Sequence, residues 1–457
     1  MGKIEVNLEL VRKYNVPGPR YTSYPTAPRF TTDIGWTQLA DYVRRNNATD
    51  RELSLYYHLP FCRSLCWFCG CTTVITKNQE ASATYLNYLE KEMSLMQPLL
   101  NPRRKVTQMH FGGGTPTFLL ADEIRRLGQS IHQRFQFAEN YEAGVEIDPR
   151  GVTRDHLAAL REAGFNRASI GVQDHNPEVQ QAVHRIQPRE MSEAVVDWIR
   201  EAGFHSLNMD LIYGLPHQTP QSFEKTLCSI IALKPDRLAV FSYAHVPWLK
   251  HAQNVLASRN LPTAEVKMAL LKLTIEKLTS EGYVYIGMDH FARENDELAL
   301  AQKEKTLQRN FQGYSTHGGA DIYAFGMSSI SQTDTVYWQN LKDLPHYYEA
   351  LDQGRSPQIK GYVLTRDDQI RRQTIMRLMC HLSLDLAKLS ADFDIDAPRY
   401  FEKELASLAD LEADGLVKRT DHSVEITDSG RLLIRNIAMR FDAYLPGEKE
   451  RRFSKTI

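Results

Sequence analysis

Four of the six cysteines fall within ten residues, Cys62-Arg-Ser-Leu-Cys66-Trp-Phe-Cys69-Gly-Cys71, a spacing of Cys-x3-Cys-x2-Cys-x-Cys. A chain this long with so few cysteines is no disulfide scaffold, and thiols this crowded point to a metal. A structural zinc site closes its tetrahedron with two separated ligand pairs, and no second Cys/His pair stands at the usual distance. A 4Fe-4S cluster has other needs: three thiolates from one short loop hold three irons and leave the fourth open to an exogenous ligand. Cys62, Cys66 and Cys69 supply that set, with Cys71 as a surplus thiol. An open iron suits a catalyst that passes one electron into a bound molecule. Cys228 and Cys380 stand apart and are expected to be buried as small apolar residues.

A second run, His110-Phe-Gly112-Gly113-Gly114-Thr115-Pro116, holds three glycines where a backbone can approach a ligand and offer its N–H and C=O groups. Alone it reads more readily as a tight turn.

Both runs follow strand-like segments. From residue 53 to about 292, short apolar or alternating runs recur between helical patterns, at Leu53–Leu59, Val106–Phe111, Tyr141–Ile147, Arg167–Val172, Ser206–Tyr213 and Arg237–Tyr243, with a possible seventh at Tyr283–Met288. Thr219 stands as an N-cap before Pro220, and Gly164, Gly203 and Gly282 follow helical runs where a C′ glycine belongs. Six or more βα units fit a partial or full barrel or a doubly wound sheet, and in both a ligand collects beyond the strands' C-terminal ends. An arm of about 50 residues precedes them, with four prolines in Val16–Phe30 and no regular element expected there. After residue 340 come helices, then a helix, turn, short hairpin and helix that resemble a winged-helix module.

Length and composition bound the rest. The 457 residues imply two or three domains. Hydrophobic residues at 42% and charged ones at 24% exclude a disordered, collagen-like or membrane-spanning chain. Lys+Arg at 55 against Asp+Glu at 56 gives 55 − 56 = −1, so neither nucleic acid nor an anionic membrane is an expected partner. The start, MGKIEVNLELVRKYN, lacks the apolar stretch of a signal peptide, and a cytoplasmic location is expected.

Cys62, Cys66 and Cys69, with aromatic Phe68 before the last, resemble the signature loop of radical S-adenosylmethionine (SAM) enzymes, and the glycine run resembles that superfamily's motif for the methionine end of SAM. Four segments narrow the likeness: Arg20-Tyr-Thr-Ser-Tyr-Pro-Thr26, the loop with its added Cys71, Tyr213-Gly-Leu-Pro216 and Arg309-Asn-Phe-Gln-Gly-Tyr314. Together they resemble the oxygen-independent coproporphyrinogen III oxidase family, from about residue 10 to Phe453-Ser454.

The resemblance implies an α/β fold: a partial (β/α)6-type radical SAM barrel at 51–340, an N-terminal arm at 1–50 over the active site, and a mainly helical, winged-helix-like domain at 341–457. It implies a cytoplasmic, monomeric enzyme that takes coproporphyrinogen III to protoporphyrinogen IX, with electrons from a flavodoxin- or ferredoxin-type donor, one 4Fe-4S cluster and two SAM molecules. Carried over residue by residue, the cluster-bound SAM would meet Phe68, Gly114, Thr115, Gln173, Arg185, Asp210 and Ala244, and the second Tyr56, Gly113, Glu146 and Ile330. Glu146, Gln173 and Asp210 stand at or near strand ends, where carboxylates suit ribose hydroxyls or an ammonium group.

A tetracarboxylate macrocycle needs cations and a flat apolar slot. Arg20, Arg29, Arg293 and Arg309 are candidate propionate anchors, Tyr21 and Tyr24 candidates for the ring edge, and His290 a candidate proton or hydrogen-bond donor. One stretch departs from the family pattern: Asp321–Ser331 carries Ala324 and Ser329 where Gly and Ala are expected, beside bulky Tyr323. Two relatives share the cluster loop, a haem-utilisation enzyme that opens the ring and a haem chaperone. The arm and Cys71 favour the oxidase.

Overall fold

A computed structural model of the protein describes residues 6–445, so the expected likeness at Phe453-Ser454 lies outside the described residues. The chain forms two compact units. One consists of Pro28–Leu211 with Gly319–Leu364; the other contains, among the described residues, 6–27, Ile212–Gly318 and 365–445.

The principal strands appear where the apolar runs place them: β1 (Leu53–Leu59), β2 (Val106–Gly113), β3 (Phe137–Ile147), β4 (Arg167–Gln173), β5 (Ser206–Tyr213) and β6 (Arg237–Ser242). Further strands follow: β7 (Tyr283–Gly287), β8 (His290–Arg293), β9 (Asp321–Phe325), β10 (Ile330–Gln332), β11 (Val336–Asn340) and β12 (Gln358–Val363).

In the first unit β1 to β5 pair in order and in parallel. β9 adds to the free edge of β1, also in parallel, and β10, β11 and β12 extend it antiparallel. Six of the seven residues of β1 are buried, as expected of a strand covered on both faces. Tyr57 in its middle packs between Phe111 and Phe325, at ring distances of 5.3 and 5.1 Å. The start of β9 is fixed by charge: fully buried Asp321 accepts from Arg104 and Asn46, with Arg51 at 3.2 Å. Tyr323 points into the core, against Trp338 and beneath Arg104.

In the second unit the seventh strand differs from expectation. β7 is no further parallel strand but turns back as a hairpin with β8, and β8 pairs antiparallel with β6. The turn is made by Met288 and Asp289, both at positive φ (46° and 76°), which non-glycine residues seldom adopt. The arm is bonded to the C-terminal segment. The Tyr21 hydroxyl donates to Asp442 at 2.8 Å, the Ala443 N–H donates to the Tyr24 hydroxyl at 3.1 Å, and Asn436 donates to the Tyr14 carbonyl at 2.7 Å. Both tyrosines are 1% exposed or less, so they serve as buried pins and not as a ring edge. The winged-helix-like segment has its hairpin, Val417–Arg419 with Ser423–Ile426, joined by Ser383–Asp385 into a three-stranded sheet.

Thr219 caps its helix by accepting from the Ser222 N–H, and Gly164, Gly203 and Gly282 all take positive φ. Cys380 is buried as expected, but Cys228 is exposed, its helix turning that face outward. Among the described residues no helix is long and apolar enough to cross a membrane.

Candidate active site

The cysteine loop is held on three sides. Phe61–Cys62 forms a short parallel ladder with Val74–Ile75, the Trp67 N–H donates to the Val183 carbonyl at 3.1 Å, and the Trp67 ring stacks on His184 at 5.1 Å. The glycine run is stitched to the end of β1: the Gly114 N–H donates to Leu59 O and the Thr115 N–H to Phe61 O, both at 2.8 Å. A Cβ on Gly114 would lie 2.5 Å from the Pro60 carbonyl oxygen, so this glycine is required by packing before any ligand arrives.

Between loop and strand ends lies a pocket of about 250 Å³. Cys62, Cys66 and Cys69 line it together with Phe68, Gly113, Gly114, Glu146, Gln173, Arg185 and Asp210. Thr115 is the next residue along from Gly114. Tyr56 stacks on His110, whose Nε2 is 3.5 Å from Glu146. Of the other two expected residues, Ile330 pairs with Gln339 in β10, and Ala244 belongs to the second unit, where it lines a cavity. Gln173 holds φ at 68°, a strained backbone at the end of β4 of the kind that clusters at functional sites.

Two residues went unnoticed in the sequence. Asp148 and Arg150, just past β3, form with Arg185 a charged group against the cluster loop. Arg150 Nη2 donates to Cys66 Sγ at 3.4 Å and Arg185 Nη1 to the same sulfur at 3.6 Å. Both arginines also clasp Asp148, at 2.6 and 3.3 Å. Burial alone would raise the Asp148 carboxyl, but Arg185 and then Arg150 hold it below the usual range. The polar run Asp148-Pro-Arg150 at a strand's C-terminal end was the available signal. Glu146 is likewise held low: burial would raise it, while His110 and the Gly113 N–H at 3.1 Å favour its charged form.

In the second unit, a cavity of about 380 Å³ follows the ends of β5 and β6. Arg20 lines it; the other three candidate anchors do not. Arg293 lies over Tyr283 near the entry of β6, where its Nε reaches the Pro235 carbonyl at 3.4 Å. Arg309 is buried, and Arg29 belongs to the first unit. His290 Nδ1 meets the Met288 carbonyl at 2.7 Å. Burial and then the Arg309 charge pull its pKa down to about 4, so at neutral pH the ring has no acidic proton to give.

Comparison with known proteins shows the family. Residues 56–228 match the Radical SAM superfamily and residues 364–433 the HemN C-terminal domain. A protein of Synechocystis named oxygen-independent coproporphyrinogen III oxidase is 47% identical over 459 residues, covering 99% of this chain and 98% of its own. One of the same name from Escherichia coli is 46% identical over 456 residues, covering 100% and 99%. The chain belongs to the oxygen-independent coproporphyrinogen III oxidase family. The solved structure of the Escherichia coli coproporphyrinogen III oxidase, described as a Radical SAM enzyme, matches it with a TM-score of 0.92 at 45% identity, over 97% of this chain and 100% of that one.

As a radical SAM member of this oxidase family, the enzyme works with a 4Fe-4S cluster and SAM. The residues present fit the cluster: three thiols on one loop, with two guanidinium groups already directed at one sulfur to offset thiolate charge. Burial, then Cys69 and Asp148, push the Cys62 thiol up to about 12, so iron must displace its proton. Among the described residues no three His, Cys, Asp or Glu side chains converge as on a single metal ion, a convergence that one iron per thiol does not need. Cys71 is exposed, lines the same pocket and contacts Cys69.

Proposed function

We propose that this enzyme removes two carboxyl groups from coproporphyrinogen III as carbon dioxide, converting two propionates to vinyl groups without oxygen. The observation that carries this reading is the pocket in which Cys62, Cys66 and Cys69 face Glu146, Gln173 and Asp210, in a chain matched end to end by relatives bearing the oxidase name. The arm (1–50), the barrel domain (51–340) and the C-terminal domain (341–457) act as three functional parts. The protein works as a cytoplasmic monomer, supplied by a flavodoxin- or ferredoxin-type donor.

Bound in this pocket, the cluster and SAM would supply the one-electron radical chemistry by which hydrogen is taken from the propionate β-carbon, and loss of carbon dioxide and one electron from the substrate would leave the vinyl group. The protein's own work is placement. Cys62, Cys66 and Cys69 would hold the cluster, and Arg150 and Arg185 would offset thiolate charge at Cys66. Phe68, Gly114, Thr115, Gln173, Arg185, Asp210 and Ala244 meet one SAM; Tyr56, Gly113, Glu146 and Ile330 meet a second. The deciding experiment is anaerobic turnover of coproporphyrinogen III with SAM and a reductant, followed by mass spectrometry. Two successive losses of carbon dioxide plus two hydrogens, with 5′-deoxyadenosine formed, are expected. An intact cluster with no decarboxylation would overturn the reading.

Asp210 gives this site a pH signature. Burial, then repulsion by Glu146, raise its carboxyl to about 6, although Asn208 and Ser169 donate to it at 2.7 and 3.1 Å. Above that value it is a carboxylate able to hold hydroxyls or an ammonium group; below it the proton blocks that role. SAM affinity, titrated calorimetrically, should therefore fall as pH drops through about 6, and Asp210→Asn should bind weakly with no such step. A wild-type affinity independent of pH across this range would remove Asp210 from the site.

A further inference from the structure

In the first unit, one buried carboxylate lies outside the lining of the cluster pocket. Glu92, on the helix Glu80–Met96, is 6% exposed, and three donors converge on it. The Gly326 N–H and the Tyr347 hydroxyl donate to Oε2, at 2.7 and 2.6 Å, and the Asn340 amide donates to Oε1 at 2.6 Å. Among the described residues no cation pairs with it. Burying an ion without an opposite charge is costly, and burial lifts the carboxyl to about 7 although Tyr347, Gly326 and Asn340 all favour its charged form. The ionisable groups that face it are tyrosines: Tyr57 from β1, Tyr85 from its own helix and Tyr347 from the helix Leu344–Asp352. A neutral side chain would fill this space more favourably, so the carboxylate matters for what it grips.

What it grips is the turn at 326–329, between β9 and β10. Asn340, while bonded to Glu92, also donates to the Gly326 carbonyl at 3.0 Å and to Ser329 Oγ at 3.1 Å, and its own N–H donates to the Ser329 carbonyl at 3.0 Å. The Ser329 hydroxyl donates in turn to the Gly326 carbonyl at 2.8 Å, a bond that the alanine of the family pattern could not make. On the other side, the Met327 N–H donates to the Tyr85 hydroxyl at 3.0 Å, and that hydroxyl donates to the His58 carbonyl at 2.8 Å. Gly326 holds φ at 97°, and a Cβ there would lie 2.7 Å from the same His58 oxygen. The turn therefore sits directly against the end of β1, where Tyr56 pairs with Ala324 and Tyr57 with Phe325. Ile330 is the next residue after it.

We propose that Glu92 is a positioning residue: it fixes the turn at 326–329 against the end of β1 and so fixes where Ile330 and Tyr56 stand for the second SAM. The inference rests on the reading that these two residues meet a second SAM, and adds what holds them. A seat already ordered binds more tightly than one that must be ordered on binding. The ionised carboxylate grips the turn through charge-assisted hydrogen bonds, about twice as strong as neutral ones, and protonation weakens them.

The test uses the full chain with its cluster reconstituted, under anaerobic conditions, as wild type, Glu92→Gln and Tyr347→Phe. Amide hydrogen exchange of a peptide spanning 326–330, corrected for the intrinsic effect of pH, reads the turn; SAM titration, with KM and kcat, reads the seat. In wild type, protection of the turn should rise as pH increases through about 7. Glu92→Gln should exchange about tenfold faster at pH 8, with no pH step, and its KM for SAM should rise about tenfold with a smaller change in kcat. Its melting temperature at pH 8 should not fall, because a neutral amide replaces a buried charge. Tyr347→Phe keeps the carboxylate and removes one donor, which should move the midpoint upward in pH; if Glu92→Gln fails to fold, this shift decides alone. Wild-type protection or wild-type KM in Glu92→Gln, or an unmoved midpoint in Tyr347→Phe, would overturn the proposal even though wild type decarboxylates. If wild type itself binds a single SAM per chain, the reading of a second seat falls, and a loosened turn in Glu92→Gln still marks Glu92 as its anchor.

Discussion

Cys66→Ala is expected to leave a folded protein with no 4Fe-4S cluster and no decarboxylation, a loss of more than about 10⁶-fold if catalysis falls to the uncatalysed background. Cys66 is 8% exposed and is the sulfur on which Arg150 and Arg185 converge. With three thiolates from one loop, removing one leaves two, and a cubane has no other cysteine from the loop to take its place except Cys71. Cys71→Ala is the matching control. As the surplus thiol it should keep four irons per chain and full SAM cleavage. Iron and sulfide analysis of both reconstituted variants checks the pair. Cluster loss in Cys71→Ala as complete as in Cys66→Ala would make Cys71 a ligand.

Gly114→Ala should be the most damaging change of a single methyl group near the site. The added Cβ would lie 2.5 Å from Pro60 O, 2.6 Å from Pro60 C and 2.7 Å from Phe61 O, all backbone atoms that cannot swing aside as a side chain can. Relief requires parting the glycine run from the end of β1, which breaks the bonds from Gly114 to Leu59 and from Thr115 to Phe61. The expected cost is about 3–5 kcal/mol, read as a fall in melting temperature of roughly 6–20 °C. Because the same carbonyls lead into Cys62, the variant should also bind iron poorly after reconstitution. Gly151→Ala, where nothing lies within 4 Å of the new Cβ, should melt as wild type. An unchanged melting temperature in Gly114→Ala would mean that the loop yields more easily than its bonding indicates.

Much of this was legible in the chain itself. β1 and β5 fall on their expected limits, and the other four principal strands differ by a few residues at one end. Each is a continuous apolar or alternating run between turn signals, so its information is local. β9 to β12 were missed for the complementary reason: runs of three to six residues, some buried throughout, carry no periodicity to tell strand from helix. The hairpin of β7 and β8 turns on Met288 and Asp289, with no glycine at its two central positions to announce it.

The same division runs through the site. The cluster ligands needed only their spacing, because three thiols on one loop are held together by a few covalent bonds. The charged groups around them needed the fold. Arg185 reaches Cys66 across 119 residues of chain, and Arg435 reaches Pro19 across 416. Nothing in either sequence neighbourhood says which partner the guanidinium will find. The sequence by itself determined the succession of βα units, the thiols that hold iron and the kind of chemistry they serve. Only the tertiary structure decided which cations guard the thiolates, that Tyr21 and Tyr24 are buried pins, and that Arg20, Lys267 and Arg435 share a cavity. Local order is written in residue spacing, whereas charge partners are chosen by packing between segments far apart in the chain.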